Sequence, residues 1–209
     1  MAKYLGMPEA VCCASGSAAL HLAALAAGIR PGDEVIVPAL TFIASVNPTT
    51  RYVGAEPVFF GCDETATMDP DAVEDFCANR CELKADGLYN KRTGAKVSAL
   101  VLVHVFGNMA DMPRFLRIAK NYKLTLIEDA AEALGTKYTE GEFAGKFAGT
   151  MGDVGAFSFN GNKIITTGSG GTLVSNHPEW AARAKHLSTQ AKTDLLQFKH
   201  DEVGYNYRM

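Results

Sequence analysis

Lys163 stands in the stretch SFNGNKIITTGSGG (residues 158–171), just after a run of small and apolar residues, 154–159, that suits a buried strand. Gly161, Gly168, Gly170 and Gly171 around it would let the backbone come close to a ligand. Such a lysine is either a solvated loop side chain or an amine nucleophile held against a flat ligand. Ser15-Gly16-Ser17 precedes a helix-forming stretch, where free backbone N–H groups and the helix dipole suit a phosphate and Ser17 adds a hydroxyl. An ordinary capping serine would look the same. Asp129 closes an apolar run and is followed by Ala130-Ala131-Glu132. A carboxylate there is costly to bury unless a cation or donor meets it. A protonated pyridine nitrogen is one such partner, and the N-cap of a following helix is another. Ser158 lies five positions before Lys163, and Phe42 follows Leu40-Thr41. Alone, Phe42 reads as a core aromatic. Together these residues offer a phosphate cradle, a buried acid, an amine nucleophile and an aromatic lid. That combination matches pyridoxal 5'-phosphate, which needs a lysine for its aldehyde and an acid to keep its ring nitrogen protonated.

The elements that must position these groups alternate between helix and strand, which predicts an α/β domain with a largely parallel, buried sheet. Residues 17–28 (SAALHLAALAAG) open on a serine and close on a glycine, as a capped helix does. Pro31-Gly32-Asp33 is a turn before a short strand at 34–38, and 57–60 is another strand. A helix starts at Asp69-Pro70 and carries Cys77 and Cys81 on one face. The polar stretch 80–97 is a surface excursion, a small hairpin in form. Residues 98–106 (SALVLVHVF) predict a central strand, 111–122 a helix, 124–129 a strand ending in acid, 171–175 a strand and 178–187 a helix. The tail 201–209 (DEVGYNYRM) has no following element to pack its tyrosines, so a chain cut short of its full length is expected.

At 209 residues the chain holds one large domain, or a domain and part of another. A hydrophobic fraction of 47% with 21% charged residues fits a soluble globular protein. A net charge of -3 offers no basic surface to nucleic acid or to anionic lipid, which points to small-molecule partners or a second copy. No apolar run reaches membrane-span length, and the first residues lack the layout of a secretory signal. Cys12, Cys13, Cys62, Cys77 and Cys81 form an odd, scattered set, which predicts reduced core thiols and a cytoplasmic location.

The chain resembles the DegT/DnrJ/StrS-type sugar aminotransferases, which are fold-type I pyridoxal-phosphate enzymes. The matching stretches are SGSAALHLAALAAGIRPGDEVIVPALTFIAS, GAEPVF, HVFGN, IEDAAEALG, GDVGAFSFNGNKIITTGSGG and GYNYRM, spread through the chain in the family's order. LYNKRTG and FNGNKIITTG are most similar to a subgroup acting on UDP-linked 4-keto-6-deoxy amino sugars.

The resemblance implies a three-layer α/β/α large domain over residues 1–209, incomplete at both ends relative to the family, without the small C-terminal domain. It also implies roles. Lys163 would hold the cofactor covalently and then carry the proton, and Asp129 would pair with the pyridine nitrogen. Gly16, Ser17 and Ser158 would bind the phosphate, Phe42 would stack on the ring, and Glu132 would sit close to it. Asn206 would reach the phosphate of a neighbouring subunit, which implies a homodimer. Lysine at 163 separates the chain from the family's dehydratases, which carry histidine there. The implied reaction moves an amino group from an amino acid, glutamate by expectation, to a nucleotide-linked keto sugar for glycan or antibiotic-sugar biosynthesis. The rival expectations are a pyridoxal-phosphate lyase and a non-catalytic fragment serving as a binding module.

Overall fold

A computed structural model describes residues 1–194 and 196–209. In chain order its main elements are α1 (Ala2–Leu5), β1 (Ala10–Cys13), α2 (Gly16–Ala26), β2 (Glu34–Pro38), α3 (Ile43–Val46), β3 (Glu56–Phe60) and α4 (Pro70–Asp75). After these come β4 (Cys81–Lys84), β5 (Gly87–Asn90), β6 (Lys96–Val103), α5 (Met112–Tyr122), β7 (Thr125–Asp129), β8 (Val154–Ser158), β9 (Gly171–Ser175) and α6 (Pro178–Ser188).

The strands form one nine-stranded sheet in the order β1-β9-β8-β7-β6-β2-β3, with β5 joined to β6 and β4 to β5. Strands β3, β2, β6, β7 and β8 run parallel, as the unbroken apolar runs predict. Antiparallel β9 and β1 extend one flank and the β4–β5 hairpin the other, so the sheet is mixed. Helices α2 and α6 pack on one face and α5 on the other, which makes the three layers.

The alternation of side chains along each strand divides the core. Val35, Val37, Val101, Ile127 and Leu173 meet α2 and α6, while Ile36, Leu100, Leu102 and Leu126 meet Phe115 and Ile118 of α5. No helix among the described residues is long and apolar enough to cross a membrane.

Several expectations are corrected. The stretch 80–97 is more than a surface excursion: β5 joins the sheet, Leu88 is fully buried, and Asn90 and Thr93 both donate to Glu34. Cys77 and Cys81 do not share a helix face, because a π-helical turn spans Phe76–Arg80 and Cys81 begins β4. Cys12 and Cys62 are exposed and so are not core thiols; Cys13, Cys77 and Cys81 are buried. Burial pushes the Cys13 and Cys77 thiols up to about 12 and that of Cys81 to about 11, which keeps them protonated and unreactive. Strand β6 stops at Val103 rather than at Phe106, since Phe106 takes a left-handed backbone with φ 55.

Candidate active site

Strand order reverses between β2 and β6: from β2 the chain steps outward to β3, and from β6 it steps the other way through β7 and β8. Ligands of open α/β sheets sit beyond the carboxyl ends of the strands at such a point. A cavity of about 600 Å³ lies there, walled by the first turn of α2, residues 40–45, the ends of β6 and β7, and the loop after β8.

Lys163 lies in this wall, with its side chain 15% exposed and Nζ 3.3 Å from Oε1 of Glu132. It is not a solvated surface lysine. Glu132 uses its second oxygen to accept the Phe106 backbone N–H at 3.1 Å.

Asp129 ends β7 and is 4% exposed. Oδ2 accepts from Ser45 Oγ at 2.6 Å, and Oδ1 from the Ala131 N–H at 3.0 Å. Turns rather than a helix follow it, so the helix-cap alternative does not hold. Burial pushes its carboxyl up, opposed by the Ser45 hydroxyl, the Ala131 N–H and the charge of Lys163. A carboxylate kept dry on a cavity wall is one that a cationic N–H would stabilise in its ionised form.

At the opposite wall the helix cap is Ser15, whose Oγ accepts from the Ala18 N–H at 3.0 Å; Ser17 does not cap α2. Ser17 is therefore left in the first turn, on the cavity. The first N–H groups of a helix have no acceptor within it. Gly16 is packed so closely that a Cβ there would come within 2.8 Å of the Ser158 Cβ. This contact sets the α2 terminus and the Ser158 hydroxyl side by side, as an anion cradle requires.

Phe42 is 74% exposed on the cavity wall, which overturns its default reading as a core aromatic. Gly16, Ser17, Phe42, Asp129, Glu132, Ser158 and Lys163 thus meet at one cavity. Asn206 does not join them: it is exposed, outside the cavity, in a segment bridged to Thr189.

Sequence reasoning missed Ser45, Thr41 and Phe106. Thr41 Oγ1 lies 2.7 Å from Ser45 Oγ, extending the chain of hydroxyls behind Asp129. The four-residue spacing of Thr41 and Ser45 was the one available hint. Phe106, 81% exposed on the cavity wall, gave no local signal.

The donor set fits pyridoxal 5'-phosphate. Helix N–H groups and two serine hydroxyls suit the phosphate, a buried carboxylate suits a protonated ring nitrogen, and an amine on the same cavity suits the aldehyde.

Comparison with known proteins agrees. The chain is 44% identical over 196 residues to GDP-perosamine synthase of Escherichia coli O157:H7, a match covering 93% of this chain and 48% of that protein. It superposes on a DegT DnrJ EryC1 StrS aminotransferase from Brucella abortus with a TM-score of 0.86 and 30% identity, over all of this chain and 52% of that one. It superposes equally completely on a Streptococcus pneumoniae protein assigned as a sugar aminotransferase, in its PLP form, with a TM-score of 0.81 and 26% identity, covering 53% of that chain. The chain therefore spans about half the length of the relatives it matches. Its match to the DegT/DnrJ/EryC1/StrS aminotransferase family runs over residues 1–209, and the chain belongs to that pyridoxal-phosphate-dependent family.

Proposed function

We propose that this chain is the cofactor-binding large-domain portion of an aminotransferase acting on a nucleotide-linked keto sugar. When bound, the cofactor carries the amino group between an amino-acid donor, glutamate in our reading, and the keto carbon of the sugar. Lys163 Nζ would be the amine that holds the cofactor through its aldehyde, and it would also serve as the group that carries a proton at the reacting carbon. Glu132 Oε1, 3.3 Å from Nζ, would orient that amine toward the cavity. Asp129 would keep a proton on the ring nitrogen, with Ser45 Oγ, 2.6 Å from Oδ2, orienting the carboxylate. Gly16, Ser17 and Ser158 would hold the phosphate, and Phe42 would cover the ring, since all four line the cavity.

A second copy is part of this reading. Leu40, Phe42 and Phe106 stand exposed on the cavity wall and Ile164 and Ile165 follow Lys163, an apolar surface that another subunit would cover. From that subunit Asn206 would reach the phosphate. The resemblance implied UDP and the Escherichia coli relative's name carries GDP, so the reading is of a nucleotide-linked keto sugar as a class.

The observation that carries the proposal is Lys163 and the buried Asp129 on one cavity whose far wall is the open end of α2. Titration with pyridoxal 5'-phosphate, followed by visible absorbance, tests it. The parent should develop a band that Lys163→Ala lacks, and borohydride should fix the cofactor to the parent alone. A folded parent that takes up no cofactor would sink the proposal and leave the non-catalytic module.

A further inference from the structure

Residues 205–207 are built in alternation: Tyr205 and Tyr207 are half-buried and Asn206 between them is exposed. Their backbone is fixed at several points. The Tyr205 N–H donates to the Leu187 carbonyl at 2.8 Å and the Tyr207 N–H to that of Ser188 at 3.1 Å, and the Tyr207 carbonyl accepts from the Ala14 N–H at 2.6 Å. Ala14 directly precedes the Ser15-Gly16-Ser17 turn.

Behind this segment lies a buried group that the catalytic reading does not use. His21 of α2 is 4% exposed, with Nδ1 3.1 Å from the Tyr207 hydroxyl. Its ring meets Tyr205 edge-on at 4.9 Å and Tyr52 at 5.5 Å, and Tyr205 and Tyr207 stack at 5.0 Å. Burial lowers the imidazole's basicity, which keeps the ring neutral and able to accept from the Tyr207 hydroxyl. Among the described residues Nε2 has no hydrogen-bond partner. A leucine or phenylalanine would fill this space without an orphan nitrogen, so packing alone does not account for a histidine here.

We propose that His21 is a positioning residue: by gripping Tyr207 it fixes the 205–207 segment, so that Asn206 is held out from the surface to meet the cofactor phosphate bound by a second copy. This rests on the reading of Asn206 as a cross-subunit ligand. One helix then serves two sites, since the first turn of α2 forms its own subunit's cradle and His21 sets the donor offered to the neighbour's.

A double-mutant cycle on cofactor affinity, measured by absorbance titration of the dimeric protein, tests the idea. Asn206→Ala should weaken binding about tenfold and His21→Leu or Tyr207→Phe about fivefold, the scale of one hydrogen bond. In the Asn206→Ala background the other two should change nothing further. His21→Asn, which keeps a polar group at the δ position, should restore most of the loss. Tyr207→Phe removes a single hydroxyl and carries the test if His21→Leu does not fold. Full additivity with Asn206→Ala, or unchanged affinity in both His21→Leu and Tyr207→Phe while Asn206→Ala alone weakens binding, overturns the positioning role and leaves the cross-subunit reading standing. An Asn206→Ala protein that binds as the parent does overturns both.

Discussion

Removing the Ser45 hydroxyl isolates the carboxylate on which the cofactor reading depends. Ser45 is 2% exposed, and its Oγ lies 2.6 Å from Oδ2 of Asp129. That is the length of a charge-assisted bond, and such bonds contribute about 1.5–3 kcal/mol. The donor favours the ionised carboxylate over the neutral acid, so Ser45→Ala raises the ionised form by about 2 kcal/mol relative to the protonated one. A cofactor with a protonated ring nitrogen needs the ionised form. Its affinity should therefore fall by up to about 30-fold, at about 1.4 kcal/mol per tenfold. The pH dependence gives the argument its sign. The full penalty appears where Asp129 of the parent is itself largely protonated, and it shrinks as pH rises and both proteins ionise. Thr41→Ala loses only a neutral bond to Ser45, about 1 kcal/mol, and should cost about fivefold. Absorbance titrations of parent, Ser45→Ala and Thr41→Ala, from weakly acid to weakly alkaline buffer, would measure this, with circular dichroism to confirm folding. Equal affinities for parent and Ser45→Ala at every pH would refute the reasoning, as would a Thr41→Ala loss larger than that of Ser45→Ala.

Two further substitutions separate binding from stability. Burial raises the Asp129 carboxyl in the folded cofactor-free protein, so that state binds the proton more tightly than the unfolded chain does. Its stability therefore falls as pH rises from the ordinary aspartate range through the raised folded value. Asp129→Asn removes that loss: thermal melts should show a cofactor-free protein more stable than the parent at neutral pH, with the gap closing in acid, and cofactor affinity at neutral pH weakened by more than in Ser45→Ala. Gly16→Ala places a Cβ 2.8 Å from that of Ser158 and must spread the cradle. Cofactor titration should show weakening of about tenfold or more, the effect of about 1–3 kcal/mol of overpacking concentrated at the binding site.

The frame was legible because short, largely apolar runs at 34–38, 154–159 and 171–175, bounded by turn residues, read as buried strands, and the structure places β2, β8 and β9 on them. Cap chemistry was legible to within two residues: a serine caps α2, but it is Ser15, and Gly28 at φ 74 turns the chain after the helix. Pairings across the sequence were not legible. Ser45 lies 84 positions from Asp129, and nothing in TFIAS reveals that its last residue faces that carboxylate. Phe106 defeated local reading for the opposite reason: its apolar neighbours extend a strand pattern, yet it sits at φ 55 with Glu132 accepting its N–H. A left-handed phenylalanine is strained, and the strain is balanced by a carboxylate that sequence spacing could not bring to it.

The neighbours Glu128 and Asp129 show how two carboxylates on one strand come to differ in their surroundings. Both are buried acids at the end of β7, and alternation sends them to opposite faces of the sheet. Glu128 receives His104 Nε2 at 2.9 Å and the backbone N–H groups of Gly149, Met151 and Gly152 at 2.8, 2.7 and 2.5 Å. His104 Nδ1 accepts from the Ala110 N–H, which places the imidazole proton at Nε2, toward the carboxylate. With four donors the acceptor capacity of Glu128 is filled, and its charge is spent on locking the 149–152 turn to the sheet. Asp129 receives, among the described residues, only the Ser45 hydroxyl and the Ala131 N–H, and it borders the cavity. It retains acceptor capacity facing a ligand, in a place where burial makes an added cationic N–H more effective than it would be in water. What distinguishes the acid on the cavity from the one locked into the fold is the number of donors supplied to each, and that number depends on long-range packing rather than on the sequence IEDAA alone.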